Sequence, residues 1–208
     1  MNAEDVNSSE TYEFTQDWFK WGPPLFRTVI DLIPAKRRFL EIGCFEGRSA
    51  VWLVENGLES GGILNCIDTW QGGEEHTVED MREVERRFNE NIRKVQAKDL
   101  TKKINVYKQT SAKGLAHLIW NMPSPLEMMD LIYIDGSHQA PDVLADACMA
   151  WQVLKVGGVI VFDDYVWGAD YPILHKPKIA IDTFTNIYHD KLRVIFVGYQ
   201  LAVQKIGD

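Results

Sequence analysis

The sequence has few cysteines and no long apolar runs, and each shortage excludes a class of protein. Its three cysteines lie in apolar segments without Cys-x-x-Cys spacing, which predicts buried, reduced thiols at Cys44, Cys66 and Cys148. The longest apolar runs are far shorter than the ~20 residues that cross a bilayer. The first residues, Met1 to Asp5, are acidic and polar, unlike the start of a signal peptide. We therefore expect a cytoplasmic protein.

Positive charge is also scarce. The chain of 208 residues has 22 lysines and arginines against 30 aspartates and glutamates, a net charge of −8. Contact with a phosphate backbone needs a basic face, so we expect no nucleic-acid partner, and the lack of apolar spans predicts no membrane partner. A small-molecule partner fits this composition, and a homodimer is left open.

Short apolar runs alternate with amphipathic stretches along most of the chain. Helical periodicity lies between the runs and is clearest over residues 78–98. The runs are continuously apolar, which is typical of parallel strands that helices cover on both faces. Five parallel strands are predicted in this way, at residues 38–42, 63–67, 104–107, 129–134 and 159–162.

The end of the chain departs from this alternation. Residues 192–197 and 201–206 are separated by only Gly198, Tyr199 and Gln200, too few for a crossover helix, so they predict an antiparallel hairpin. The predicted fold is α/β, a Rossmann-like seven-stranded sheet of five parallel strands plus this hairpin, with helices on both faces. It forms one domain over residues 37–208. Residues 1–36 precede it as a helical or lid segment, whose aromatic part covers either the site or a sheet edge.

A glycine turn and two acidic residues follow the first two predicted strands. Gly43 and Gly47 bracket the turn and would let backbone approach a ligand closely, although a simple strand-to-helix turn explains them too. Asp68 ends the second strand, where a carboxylate can accept hydrogen bonds from ribose hydroxyls. Glu41 lies near the end of a buried strand, where a carboxylate is costly unless it has partners.

The segment Glu41-Ile-Gly43-Cys-Phe-Glu-Gly47-Arg-Ser49 resembles the first motif of the class I S-adenosylmethionine (SAM)-dependent methyltransferases. The resemblance implies SAM as the cofactor. It assigns cofactor binding to Glu41, Gly43, Gly47, Ser49, Asp68, Trp70, Ser111 and Asp135. Trp70 and Ser111 also have structural alternatives, since Trp70 could simply cover the core and Ser111 could cap a helix.

Acidic residues also follow the fourth and fifth strands. Asp135 and His138 come after one, and Asp163 and Asp164 after the next, so adjacent parallel strands bring all four to one rim. Crowded carboxylates raise one another's pKa unless a cation joins them. A hard divalent ion such as Mg²⁺ would relieve that crowding.

This rim resembles that of the metal-dependent small-molecule O-methyltransferases, above all the sugar-modifying macrocin type. The catechol type usually has Asp-Asn where this chain has Asp163-Asp164. The resemblance implies a metal held by Asp135, Asp163 and Asp164, with Asp135 and His138 catalytic and His138 as general base. More broadly, residues 37–165 resemble the methyltransferase 24 family.

The expected function is therefore methyl transfer from SAM to a hydroxyl of a small molecule, such as a sugar, a catechol or a natural product. Asp135 could instead hold the methionine amino group while His138 caps a helix. That alternative predicts a metal-independent N- or carboxyl-methyltransferase. A non-catalytic SAM-binding protein is the third possibility, and the intact acidic rim disfavours it because binding alone needs only the first motif.

Overall fold

The computed structural model describes residues 11–73, 80–121, 124 and 128–208. Its strands are β1 Arg38–Ile42, β2 Ile63–Asp68, β3 Lys103–Lys108, β4 Met129–Ile134, β5 Leu154–Phe162, β6 Leu192–Val197 and β7 Leu201–Lys205. Its helices are α1 Gly22–Leu32, α2 Arg48–Asn56, α3 Met81–Lys98, α4 Ser111–Asn121, α5 Ala140–Val153 and α6 Pro177–Ile187, with short 3₁₀ helices at Trp18–Trp21 and Ile173–His175.

The strands form one seven-stranded sheet in the order β3-β2-β1-β4-β5-β7-β6. Strands β1 to β5 pair in parallel, whereas β7 runs antiparallel to both β5 and β6. The predicted fold is confirmed, including the terminal hairpin. The chain order reverses between β1 and β4, and ligands bind in such sheets beyond the carboxyl ends of the strands at that point.

Helices cover both faces of the sheet, as the continuous apolar runs predict. Helices α1, α2 and α3 pack on one face around Phe26, Leu53 and Phe88, and α4, α5 and α6 pack on the other around Leu115 and Phe184. Every residue of the central strand β4 is buried. Within the described ranges, no helix combines the length and the apolar composition needed to cross a bilayer.

Two element boundaries differ from the prediction by more than one residue. Helix α3 begins at Met81 rather than Val78, because the Asp80 side chain caps it and accepts a hydrogen bond from the Arg82 amide; Val78 itself lies outside the described residues. Strand β5 begins at Leu154, whereas the sequence predicted its start at Val159. The glycine pair Gly157-Gly158 lies within the strand, next to a shift in its register with β4.

Candidate active site

The glycine turn after β1, residues 43–47, lies directly against the end of β4. Gly43 has φ +81°, and a Cβ there would lie 1.9 Å from the main-chain oxygen of Asp135, so no other residue fits. Gly47 has φ +79° and precedes the first residue of α2. The structure therefore joins the two predicted halves of the site, the glycine turn and the acidic rim, at the contact between Gly43 and Asp135.

Asp68, at the carboxyl end of β2, faces the same turn. Its Oδ2 accepts hydrogen bonds from the amides of Cys44 (2.7 Å) and Phe45 (3.1 Å), and its Oδ1 accepts one from the amide of Trp70 (2.7 Å). A carboxylate offers about four lone-pair sites, so these three bonds fix its position and leave capacity for a ligand hydroxyl.

Glu41 is fully buried below the turn. Its Oε1 accepts a hydrogen bond from the Ser49 hydroxyl, whereas its Oε2 has no hydrogen-bond partner among the described residues. Burial raises the pKa of Glu41 to about 8; the Ser49 bond lowers it and the nearby charge of Asp68 raises it. Glu41 is therefore mainly protonated at neutral pH and can donate as well as accept a hydrogen bond.

Trp70 and Ser111 have protein partners in the structure. The Trp70 indole is buried, its ring lies 4.6 Å from that of Phe88, and its Nε1 donates to the Phe45 oxygen at 3.0 Å. Trp70 thus covers the core, and its contact with adenine stays a prediction. Ser111 begins α4 and bonds to Asp146, whose pKa burial raises to about 6.

The acidic rim forms as predicted. Asp135, His138, Asp163 and Asp164 line one small cleft together with apolar residues such as Phe162 and Val143. Burial raises the pKa of Asp135, and the charges of Asp163 and Asp164 raise it further. The pKa of Asp163 is also raised, mainly by burial and secondly by the charge of Asp164. Among the described residues that line the cleft, only His138 has a basic side chain.

Three further side chains hold the acidic pair, and sequence reasoning did not find them. Asp163 Oδ2 accepts hydrogen bonds from the Tyr133 hydroxyl and from Gln200 Nε2 (3.0 Å), and Asp164 Oδ1 accepts one from the Tyr199 hydroxyl (2.8 Å). Tyr199 and Gln200 form the turn of the terminal hairpin. The pairing of β7 with β5 could have pointed to Tyr199 and Gln200. It places Leu201 opposite Phe162 and so puts the hairpin turn beside Asp163 and Asp164.

His138 is held by the same pair. Its Nε2 lies 2.8 Å from Asp164 Oδ2, and its ring lies 4.1 Å from the Trp167 ring. Because an ionised carboxylate only accepts hydrogen bonds, a neutral His138 carries its proton on Nε2 and its lone pair on Nδ1. This is the arrangement in which a carboxylate orients a histidine base and stabilises its protonated form.

Comparisons with known proteins agree with this geometry. Residues 40–165 match a family model, Methyltransf_24, described as a methyltransferase domain. A search of curated proteins gives no match.

Among solved structures, the fold is similar to an O-methyltransferase from Bacillus cereus in complex with SAH (TM-score 0.65, 20% identity, covering 93% of this chain and 84% of that one). It is also similar to the O-methyltransferase TomG of tomaymycin synthesis from Streptomyces achromogenes, in complex with SAM (0.62, 19%, 90% and 80%). A third similar structure is CalS11, a TDP-rhamnose 3'-O-methyltransferase of calicheamicin biosynthesis (0.58, 18%, 91% and 79%).

Proposed function

This chain belongs to the methyltransferase domain family, and we propose that it transfers the methyl group of SAM to a hydroxyl of a small molecule such as a sugar, a catechol or a natural product. One observation carries the proposal. The rim lies beside the glycine turn and consists of Asp135, His138, Asp163 and Asp164. Gly43 of the turn packs directly against the backbone of Asp135. A donor bound at the turn would therefore lie next to an acceptor bound at the rim.

The residues around the turn would hold the donor. Asp68 has about one lone pair left to accept a hydrogen bond from a ribose hydroxyl, and three backbone amides already fix its carboxylate. Gly43 and Gly47 leave the turn without side chains at its two ends. Glu41, Ser49, Trp70, Ser111 and Asp135 complete the proposed set.

We propose that Asp135, Asp163 and Asp164 hold a divalent cation such as Mg²⁺. The raised pKa values of Asp135 and Asp163 support this, because burial and then the charges of neighbouring carboxylates raise them, and a bound cation would offset both effects. Their oxygens are the hard ligands that Mg²⁺ prefers. When bound, the ion would offset the charge of the rim and lower the pKa of an acceptor hydroxyl.

We propose that His138 takes the proton of the acceptor hydroxyl. Asp164 orients the ring and would stabilise the imidazolium that forms. Nδ1, which carries the lone pair, is buried in the structure. Taking up a proton from the cleft therefore requires rotation of the ring, which would bring Nδ1 to the cleft.

One observation favours a second candidate, metal-independent methyl transfer to an oxygen or nitrogen. Protein groups already bond to both acidic side chains, through Tyr133 and Gln200 at Asp163 and through Tyr199 and His138 at Asp164. In this case the pair would serve only to position His138. The two candidates share the donor site and differ in whether the rim needs an ion.

Two measurements test the proposal. Calorimetry should show micromolar binding of SAM and of its product S-adenosylhomocysteine (SAH) without Mg²⁺, since the turn holds the donor; failure of both to bind contradicts the whole proposal. Binding of Mn²⁺, followed by electron paramagnetic resonance, should weaken at least about tenfold in Asp135→Asn, since a hard-ion site depends on its carboxylate ligands. Asp190→Asn removes the same charge from an exposed position and serves as the matched control.

Transfer of labelled methyl groups to a panel of catechols and vicinal diols then identifies the acceptor class. Full turnover in EDTA, together with a failure of the protein to bind Mn²⁺, would rule out the proposed ion and favour the metal-independent reaction. In either case His138→Ala should slow transfer and leave SAH binding unchanged. Unchanged turnover in that variant would show that His138 is not the base.

A further inference from the structure

An extended segment without helix or strand, residues 11–17, lies across α2 and α3; we call it the N-terminal strap. Its first part is tied down on the surface. The Tyr12 hydroxyl donates to Glu55 Oε1 of α2 at 2.6 Å, and Lys94 Nζ of α3 donates to the Thr11 oxygen at 3.0 Å. Its second part reaches the glycine turn, where its partners include buried side chains.

Those contacts centre on Glu46, a buried carboxylate within the turn. Its Oε2 accepts a hydrogen bond from the Thr15 amide (2.6 Å), and its Oε1 accepts one from the Thr15 hydroxyl (2.8 Å). Arg87 of α3 supplies the opposite charge, with Nη1 3.2 Å from Oε1. A buried carboxylate is costly without such partners, so Glu46 depends on the strap for two of these three bonds.

A buried amide adds a second link between the strap and the turn. Asn91 of α3 is fully buried and exchanges two hydrogen bonds with the backbone of Glu13, accepting from its amide (2.9 Å) and donating to its oxygen (2.8 Å). The same Nδ2 donates to the Glu46 oxygen at 2.9 Å. One side chain therefore holds the strap and the turn together inside the protein.

The turn needs such support because its backbone is strained. Phe45 has φ +48°, a conformation that residues other than glycine adopt only where the surroundings impose it. Asp68 holds the Phe45 amide on one side. On the other side, Trp18 lies with its ring 4.7 Å from that of Phe45, and the strap binds Glu46.

We propose that Glu46 is a positioning residue, through which the N-terminal strap holds the glycine turn in the conformation that binds SAM. The inference rests on the proposed function, because it concerns the affinity of that donor. If the strap were released, the turn would populate other conformations. The apparent affinity for SAM would then fall in proportion to the fraction of protein that leaves the binding-competent conformation.

The experiment compares SAH affinity by calorimetry in the full chain. Thr15→Val removes one bond to Glu46 from an exposed position, and Glu46→Gln replaces the accepting carboxylate. We expect the SAH dissociation constant to rise about three- to tenfold in Thr15→Val, the range typical of one lost hydrogen bond. In Glu46→Gln it should rise at least about tenfold, as expected for lost hydrogen bonds to a charged group. Thr15→Ser keeps the hydroxyl and should restore wild-type affinity.

The matched control is Tyr12→Phe, which removes the strap's hydrogen bond to Glu55 and leaves the turn untouched. It should bind SAH within twofold of wild type. In turnover assays the Thr15→Val change should appear in the KM for SAM, with kcat at saturating SAM unchanged.

The outcomes separate the inference from the function that it rests on. One contrary outcome is that Thr15→Val and Glu46→Gln lower the melting temperature and yet leave SAH affinity at the wild-type value. In that case the strap is a purely structural element and the inference is overturned. If Glu46→Gln does not fold, Thr15→Val decides alone. Wild-type protein that binds neither SAH nor SAM overturns the proposed function together with the inference.

Discussion

At the scale of single residues, the glycine turn depends on Gly43 for space as well as for conformation. Gly61 offers a matched comparison, since its φ is +77° but no described residue other than its chain neighbours lies within 4 Å of a Cβ placed there. Gly61→Ala should lower the free energy of unfolding by about 1 kcal/mol, through backbone strain alone. Gly43→Ala adds the clash with the Asp135 backbone and should cost several times more in urea denaturation. Equal losses would show that the contact yields easily.

Glu41 makes the stability of the protein depend on pH. The pKa of Glu41 is raised to about 8 from an ordinary 4.5, so between these values the folded protein keeps a proton that the unfolded chain releases. Rising pH therefore destabilises the fold, by up to about 1.4 kcal/mol per pH unit for this group. Glu41→Gln carries no such proton.

The measurement is urea denaturation of wild type and of the Glu41→Gln variant from pH 5 to pH 9. The stability of wild type relative to the variant should fall across this window by about 2–4 kcal/mol and level off above pH 8. Glu59→Gln, which changes an exposed carboxylate, should run parallel to wild type. Parallel curves for Glu41→Gln as well would mean that Glu41 is ionised in the folded protein at neutral pH.

At the scale of elements, the opposite end of the sheet has its own buried acid. Asp130 of β4 accepts hydrogen bonds from the amides of Arg37 (3.0 Å) and Arg38 (2.9 Å), where β1 begins. Its other oxygen lies 2.7 Å from Lys155 Nζ of β5. Asp130 thus joins three neighbouring strands at their amino ends, away from the site.

Removing this link should therefore affect stability and not ligand binding. Asp130→Ala leaves two amides and a lysine without their acceptor and should cost about 3–5 kcal/mol in thermal or urea unfolding. SAH affinity should stay within twofold for the fraction that is folded. Asp31→Ala, at an exposed position of α1, is the control and should change stability by less than about 0.5 kcal/mol. A loss of SAH binding in folded Asp130→Ala protein would contradict this separation.

The sequence predicts these elements well where burial alone decides them. Strands β1, β2 and β4 are buried almost throughout, so their apolar runs are continuous and easily recognised. The acidic residues at their carboxyl ends, Asp68 and Asp135, can be recognised because each stands directly where an apolar run stops. What sequence cannot supply is the partner of a side chain from a distant element. Trp70 packs on Phe88 of α3, and Tyr199 reaches Asp164 only because β7 pairs with β5.

At the scale of the whole molecule, the reversal of strand order between β1 and β4 divides the site into two halves that share one contact. Strands β1 and β2 carry the glycine turn and Asp68, and β4 and β5 carry the acidic rim. Asp135 belongs to both halves, since its backbone supports Gly43 and its carboxylate lies on the rim. A ligand that fixes one half therefore restricts the other.

This shared residue predicts coupling between the two proposed ligands. Saturating SAH should tighten Mn²⁺ binding, because it holds Asp135 in place, and linkage requires Mn²⁺ to tighten SAH binding by the same factor. We expect a factor of about five or more, measured by calorimetric titration of each ligand with and without the other. The Asp190→Asn variant should show the same coupling as wild type. Independent affinities would mean that the turn and the rim are rigid before either ligand binds, so that the contact at Gly43 transmits nothing between them.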